Sequence, residues 1–213
     1  MPRSKIGAVI DQVLSGLQFM HENDLIHLDV KPDNILFTRC PGPDPEETRY
    51  NFVISDLGLT STVRSARQAG TPCYQAPECH RDEAISTASD VYSFGIVLLQ
   101  LLGLWCYEEG YTPISRWREK LGILGVKDAR GYKSEIPGGA RETQPTHSRI
   151  QSLVDNGIVC PTVGRLLDQD PHRRPSAAEA RSELLAIFPR RVQPEEGLDE
   201  TESPPPRLQR QDT

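Results

Sequence analysis

The sequence predicts a mainly α chain with one short β-hairpin near its start. Three observations predict it: apolar residues recur at three- and four-residue steps early in the chain, two β-like runs then flank an acidic, proline-rich connection, and the apolar pattern from Thr87 onward is helical. At 213 residues and 37% hydrophobic, the chain is long enough for one well-buried core and gives no reason to divide that core in two.

The elements follow in order. Ile6, Val9, Ile10, Val13, Leu14 and Leu17 mark one face of an amphipathic helix running from Ile6 to Met20 and ended by Glu22-Asn23-Asp24. Ile35-Leu36-Phe37 and Phe52-Val53-Ile54 read as the strands of a hairpin, joined through the exposed stretch Pro41-Gly42-Pro43-Asp44-Pro45-Glu46-Glu47. Thr87, with Asp90 three residues later, resembles a capping box ahead of a buried helix from Val91 to Leu102, stopped by Gly103. Ile114 to Leu124 reads as a short helix and Gly125 to Thr146 as loop, while Val159 to Leu167 and Ser176 to Phe188 form two closing helices. Residues 189–213 are rich in proline and charge, mostly acidic, and poor in apolar groups. Burial there cannot offset the entropy of ordering, so they are assigned to a disordered tail beyond a domain of residues 1–188.

A formal net charge of -6 argues against nucleic acid or an anionic membrane as the main partner. The apolar run from Ile96 to Leu104 is too short to span a bilayer. Cys40, Cys73, Cys79, Cys106 and Cys160 contain no C-x-x-C pair and leave one over, which fits neither a disulfide framework nor a zinc site. A reducing, cytoplasmic compartment is the expectation.

Chemistry concentrates in His27-Leu28-Asp29-Val30-Lys31-Pro32-Asp33-Asn34, between the first helix and the hairpin. This segment resembles the catalytic loop of eukaryotic-type Ser/Thr protein kinases, H-R-D-L-K-P-E-N, with Leu28 in place of the arginine. Asp56-Leu57-Gly58 looks like that family's D-F-G. Gly70-Thr71-Pro72-Cys73-Tyr74 and Ala76-Pro77-Glu78 then complete the layout of an activation segment. Ser89-Asp90-Val91-Tyr92-Ser93-Phe94-Gly95 resembles the opening of the family's central helix, and Asp170-Pro171-His172-Arg173-Arg174-Pro175-Ser176 its closing motif. Taken alone, Asp29 is a turn residue, Asp56 an ordinary turn, and Glu78 and Arg174 two surface charges. Five motifs in the right order, covering about nine tenths of the chain, reverse those readings.

The resemblance implies a fold and a set of roles. The fold is a protein-kinase-like C-terminal lobe, a truncated form of the family's α+β architecture. Asp29 would accept the proton of a protein Ser or Thr hydroxyl, Lys31 would stabilise the transferring phosphoryl group, and Asn34 and Asp56 would hold Mg2+ against ATP. These residue types suit the work: a positioned carboxylate accepts a proton, lysine is a compact charge for phosphate, and amide and carboxylate oxygens suit a hard cation. Thr71 would contact Asp29 and Lys31 and mark Ser/Thr specificity, Asp90 would anchor the catalytic loop, and Arg174 would pair with Glu78.

The sequence also departs from the family. Only 28 residues precede Asp29, no G-x-G-x-x-G occurs there, and no strand lysine with a helical glutamate partner is visible, so the expectation is a catalytic domain without its ATP-gripping small lobe. Gly122-Ile123-Leu124-Gly125-Val126-Lys127 lies downstream and lacks the spacing of a nucleotide loop. Leu28 removes the guanidinium that gathers a phosphorylated activation loop. Two readings of function follow: an ATP-dependent Ser/Thr protein kinase, inactive as this chain alone, or a pseudokinase-like binding module that keeps the motifs unused.

Overall fold

The computed structural model describes residues 3–41, 49–63, 66, 69–81, 83–105 and 145–190. Helix α1 spans Arg3–Glu22. It buries Ile6, Val9, Ile10, Val13, Leu14, Leu17 and Met20, the stripe that its three- and four-residue spacing defines. A turn at Asn23-Asp24, with Asp24 in the left-handed region, leads into strand β1, Leu25–Ile26. A single 3-10 turn, Pro32–Asn34, separates the loop after β1 from the hairpin.

That hairpin is β2, Ile35–Cys40, antiparallel to β3, Arg49–Ile54, in a register running from Ile35 opposite Ile54 to Cys40 opposite Arg49. Its inner face packs Ile35, Tyr50 and Phe52 against the core. The outer edge of β3 is covered by α1: the Gln12 carboxamide accepts from Phe52 N and donates to Tyr50 O, mimicking a further strand. A 3-10 turn at Leu57–Leu59 then leads to β4, Ser61–Thr62, which pairs with β1 as a two-residue ladder.

Helix α2, Pro77–His80, is one turn long. Helix α3, Thr87–Leu101, is buried continuously from Ser89 to Leu101 and packs against α1 and β1. Its cap differs from the expected Thr87–Asp90 box. Ser86 is the N-cap, its side chain accepting from Ala88 N, while the Asp90 carboxylate is bonded to the loop after β1. Gly103 stands just beyond the helix at φ 76°, as a terminating glycine does.

Helix α4, His147–Asp155, lies where no helix was expected; Thr146 caps it by accepting from Arg149 N. Helices α5, Pro161–Leu166, and α6, Ala177–Ile187, are the two closing helices, α6 starting on a capping box between Ser176 and Glu179. The helix expected at Ile114–Leu124 and residues 125–144 of the loop expected from Gly125 to Thr146 lie outside the described residues.

Helix α6 packs along α1, and the two are pinned by Asp11, which takes Arg181 Nε at 2.7 Å and Arg190 Nη1 at 2.6 Å. Pro189 and Arg190, the first residues of the segment assigned to the tail, are therefore placed against the domain; residues 191–213 lie outside the description. Gly7 sits directly beneath this crossing: a Cβ there would lie 2.4 Å from Phe188 O.

Candidate active site

The loop after β1 owes its shape to one carboxylate. Asp90, in the first turn of α3 and 1% exposed, accepts from His27 N at 2.8 Å and from Leu28 N at 2.9 Å, and its Oδ2 also meets His21 Nε2 at 2.9 Å. These bonds hold Leu28 at φ 69°, a left-handed conformation that a branched residue adopts only under constraint. His27, fully buried, is locked in turn. Its Nδ1 accepts from Asp29 N and its Nε2 donates to Ser55 O at 3.0 Å, a pattern that places the ring proton on Nε2.

Asp29 is thereby aimed at a cluster of donors. Lys31 Nζ lies 2.7 Å from its Oδ2, and Asn34 Nδ2 donates to the same oxygen at 2.9 Å. Thr71 gives its N–H to Oδ1 at 2.9 Å and its hydroxyl at 2.8 Å, while Lys31 Nζ donates to the Thr71 hydroxyl at 2.7 Å. Burial alone pushes the Asp29 carboxyl up, but the hydrogen bonds from Lys31 and Thr71 and the Lys31 charge outweigh it and hold the group below the ordinary carboxylate range. Asp29 is therefore an ionised, oriented acceptor at neutral pH.

Asn34 turns its amide nitrogen to Asp29, bonding both Oδ2 and the backbone oxygen, so the amide oxygen is left without a hydrogen bond among the described residues. Its own backbone oxygen receives Ser55 N at 2.8 Å and Ser55 Oγ at 3.0 Å. These bonds tie the end of β3, and so Asp56, to the loop. Asp56 is exposed, sits at φ 61°, and caps the following 3-10 turn through Gly58 N. A free amide oxygen and an exposed carboxylate are the hard donors that Mg2+ takes.

Thr71 reaches Asp29 because Gly70 precedes it at φ 97°, pressed so close to the loop that a Cβ would fall 2.1 Å from Leu28 O. Past Thr71 the segment is fastened to α3: Ser93 Oγ donates to Tyr74 O at 2.7 Å and Tyr74 OH to Gln100 Oε1 at 3.1 Å. Burial pushes the Tyr74 phenol well above its ordinary range, so it remains a donor. Glu78 and Arg174 stand behind this platform as a separate buried pair, which Ser89 Oγ joins to α3 by donating to Glu78 Oε1 at 2.8 Å.

Asp29, Lys31, Asn34 and Thr71 thus meet directly, Asp90 supports them from behind, and Asp56 is linked through Ser55. Sequence reading missed His21, Ser93 and Gln100, whose partners lie far away in the chain. The periodicity of their helices marks His21 only as a polar residue at a helix end.

A family model described as protein kinase domain matches residues 1–184. The chain belongs to the protein kinase family. It is 31% identical over 187 residues to a G-type lectin S-receptor-like serine/threonine-protein kinase of Arabidopsis thaliana, covering 82% of this chain and 20% of that protein. It is 27% identical over 190 residues to the serine/threonine-protein kinase MAK of Homo sapiens, covering 84% and 29% respectively. A calcium/calmodulin-dependent protein kinase type 1 of Caenorhabditis briggsae is 37% identical over 108 residues, 49% of this chain and 27% of that protein. This kinase chain therefore spans under a third of the length of each of these relatives.

Proposed function

We propose that residues 1–188 are the large, C-terminal lobe of a Ser/Thr protein kinase catalytic domain, which moves the γ-phosphoryl group of ATP to Ser and Thr hydroxyls of a protein substrate. The observation that carries this reading is the convergence of Lys31, Asn34 and Thr71 on the two oxygens of Asp29. Asp29 would orient the substrate hydroxyl and take its proton late, as a carboxylate held low is a weak base but a good acceptor. Lys31, already between Asp29 and Thr71, would offset charge on the transferring group. Asn34 and Asp56 would hold Mg2+, which neutralises phosphate charge when bound.

The C-terminal-lobe reading is supported by the outer face of the hairpin. Leu36 and Val53 oppose each other across the strands at 57% and 61% exposure, an apolar floor suited to an adenine and a second lobe. The same surface favours the second reading, a pseudokinase-like binding module. A cytoplasmic setting is part of the proposal and is supported by the unpaired Cys40, Cys73, Cys79 and Cys160. None of the described helices is long and apolar enough to cross a membrane.

Fusing a compatible kinase small lobe ahead of Met1 tests the enzyme reading. Transfer to Ser or Thr peptides is expected. Asp29→Asn should slow it by roughly 10²- to 10⁴-fold with ATP affinity intact, whereas Asp56→Ala should abolish both transfer and Mg-ATP binding. Folded chimeras that bind Mg-ATP yet transfer nothing would replace the enzyme with the binding module.

A further inference from the structure

Thr71 contacts Asp29 only if the turn before it stays pressed on the loop, and that turn is held by a side chain from its far end. Gln75 is 8% exposed, and its Nε2 donates to Ala69 O at 2.8 Å and to Gly70 O at 3.1 Å, reaching back across six residues. Between these points Tyr74 N bonds Thr71 O at 2.9 Å, so 69–75 is a loop closed at its neck by the carboxamide and at its tip by a β-turn. We propose that Gln75 is a positioning residue that braces this segment from within and holds Thr71 on Asp29 in the unmodified chain. The role rests on reading Asp29 as the substrate-facing carboxylate; the geometry of the brace does not.

The residue type decides the case. Two neighbouring carbonyls facing one side chain call for two N–H donors without charge, which is what a carboxamide supplies. Methionine has the same reach and no donor. Glutamate would set a carboxylate against two carbonyl oxygens, an arrangement that costs more than an unmade bond. Gly70 completes the device, since at φ 97° it turns its carbonyl toward Gln75 while its α-carbon lies against Leu28 O. A phosphate could order such a segment only where cations converge, and the position before Asp29 holds the buried, uncharged Leu28. An internal brace makes order a property of the sequence itself, leaving phosphorylation little to add.

Amide hydrogen exchange on the full chain tests the brace without nucleotide, so its failure and that of the kinase reading are separate results. In Gln75→Met the amides of Thr71 and Tyr74 should exchange about tenfold faster, the worth of one or two hydrogen bonds, and in Gln75→Glu faster still. The amides of Ile96 to Leu99 in α3 should be unchanged in both. Phosphatase treatment of the wild-type chain should leave Thr71 protection as it was. Unaltered Thr71 exchange in Gln75→Met would overturn the proposal. So would an equal rise in α3, which marks plain destabilisation, or protection lost on phosphatase treatment. If Gln75→Glu does not fold, Gln75→Met decides alone.

Discussion

The Arg174 guanidinium grips the Glu78 carboxylate through two parallel hydrogen bonds, Nη1 to Oε1 at 2.7 Å and Nη2 to Oε2 at 2.8 Å, with neither side chain exposed. Arg174 also donates to Asp168 O and Ala88 O and lies over the Tyr92 ring at 4.9 Å, so one side chain joins α2, α3 and the turn before α6.

Removing the cation strands a buried carboxylate. Arg174→Ala is expected to cost about 3 to 5 kcal/mol, read from urea unfolding. Pairing Arg174→Met with Glu78→Leu should recover a good part of that loss, since no charge is then left uncompensated. A loss of a few tenths in the single variant would show that water reaches Glu78.

Stability should fall in acid. Burial raises the carboxyls of Asp11 and Glu78, but their arginine partners more than offset it and hold both below their ordinary values; Asp29, raised by burial too, is held low by Lys31 and Thr71. The native state therefore binds fewer protons than the unfolded one where these groups titrate. Their contribution is complete above about pH 5 and is lost as pH drops through and below about 4. A melting temperature unchanged between pH 6 and pH 3 would contradict these assignments.

Gly70→Ala forces a side chain into a left-handed position facing Leu28 O. The conformation alone costs about 1 to 2 kcal/mol, and the clash adds to it or pushes the segment off the loop. Thermal unfolding reads the first outcome and protease cleavage within 66–75 the second. A variant matching wild type in both would mean that the turn tolerates another path.

Asp90→Asn keeps the shape of the anchor but replaces one acceptor with an amide donor facing a backbone N–H. With bonds to charged groups worth about 1.5 to 3 kcal/mol each, a loss near 3 kcal/mol is expected. Leu28 should then leave the left-handed region, a change visible in its Cα chemical shift. An unchanged shift would assign the Leu28 conformation to other contacts.

Much of the fold was legible because it is local. The stripe of α1, the unbroken apolar run of α3 and the β runs at Ile35 and Phe52 carry their own signal. Helix α4 escaped because it buries only Ile150 and Leu153; Thr146 with its bond to Arg149 N was the available clue. Strands β1 and β4 are two residues each, too short to alternate. Thr87 is not the cap that its spacing to Asp90 suggests, because Asp90 serves Leu28, sixty-two residues away in sequence. The site residues were readable through an ordered motif. Their supports, His21 and Gln100, were not, since a contact between α1 and α3, or between Tyr74 and α3, leaves no spacing to count.

The crossing of Phe188 and Arg190 over Gly7 means that the described unit nearly closes on itself. Its order along the chain is then a matter of where the ring is cut. A circular permutant with a short linker from residue 190 to residue 3, opened in the 42–48 connection, keeps every described hydrogen bond at the Asp29 cluster within one continuous piece. In such a molecule β3 and the activation segment would come first and the catalytic loop last, with the same cluster assembled from the opposite ends of the chain.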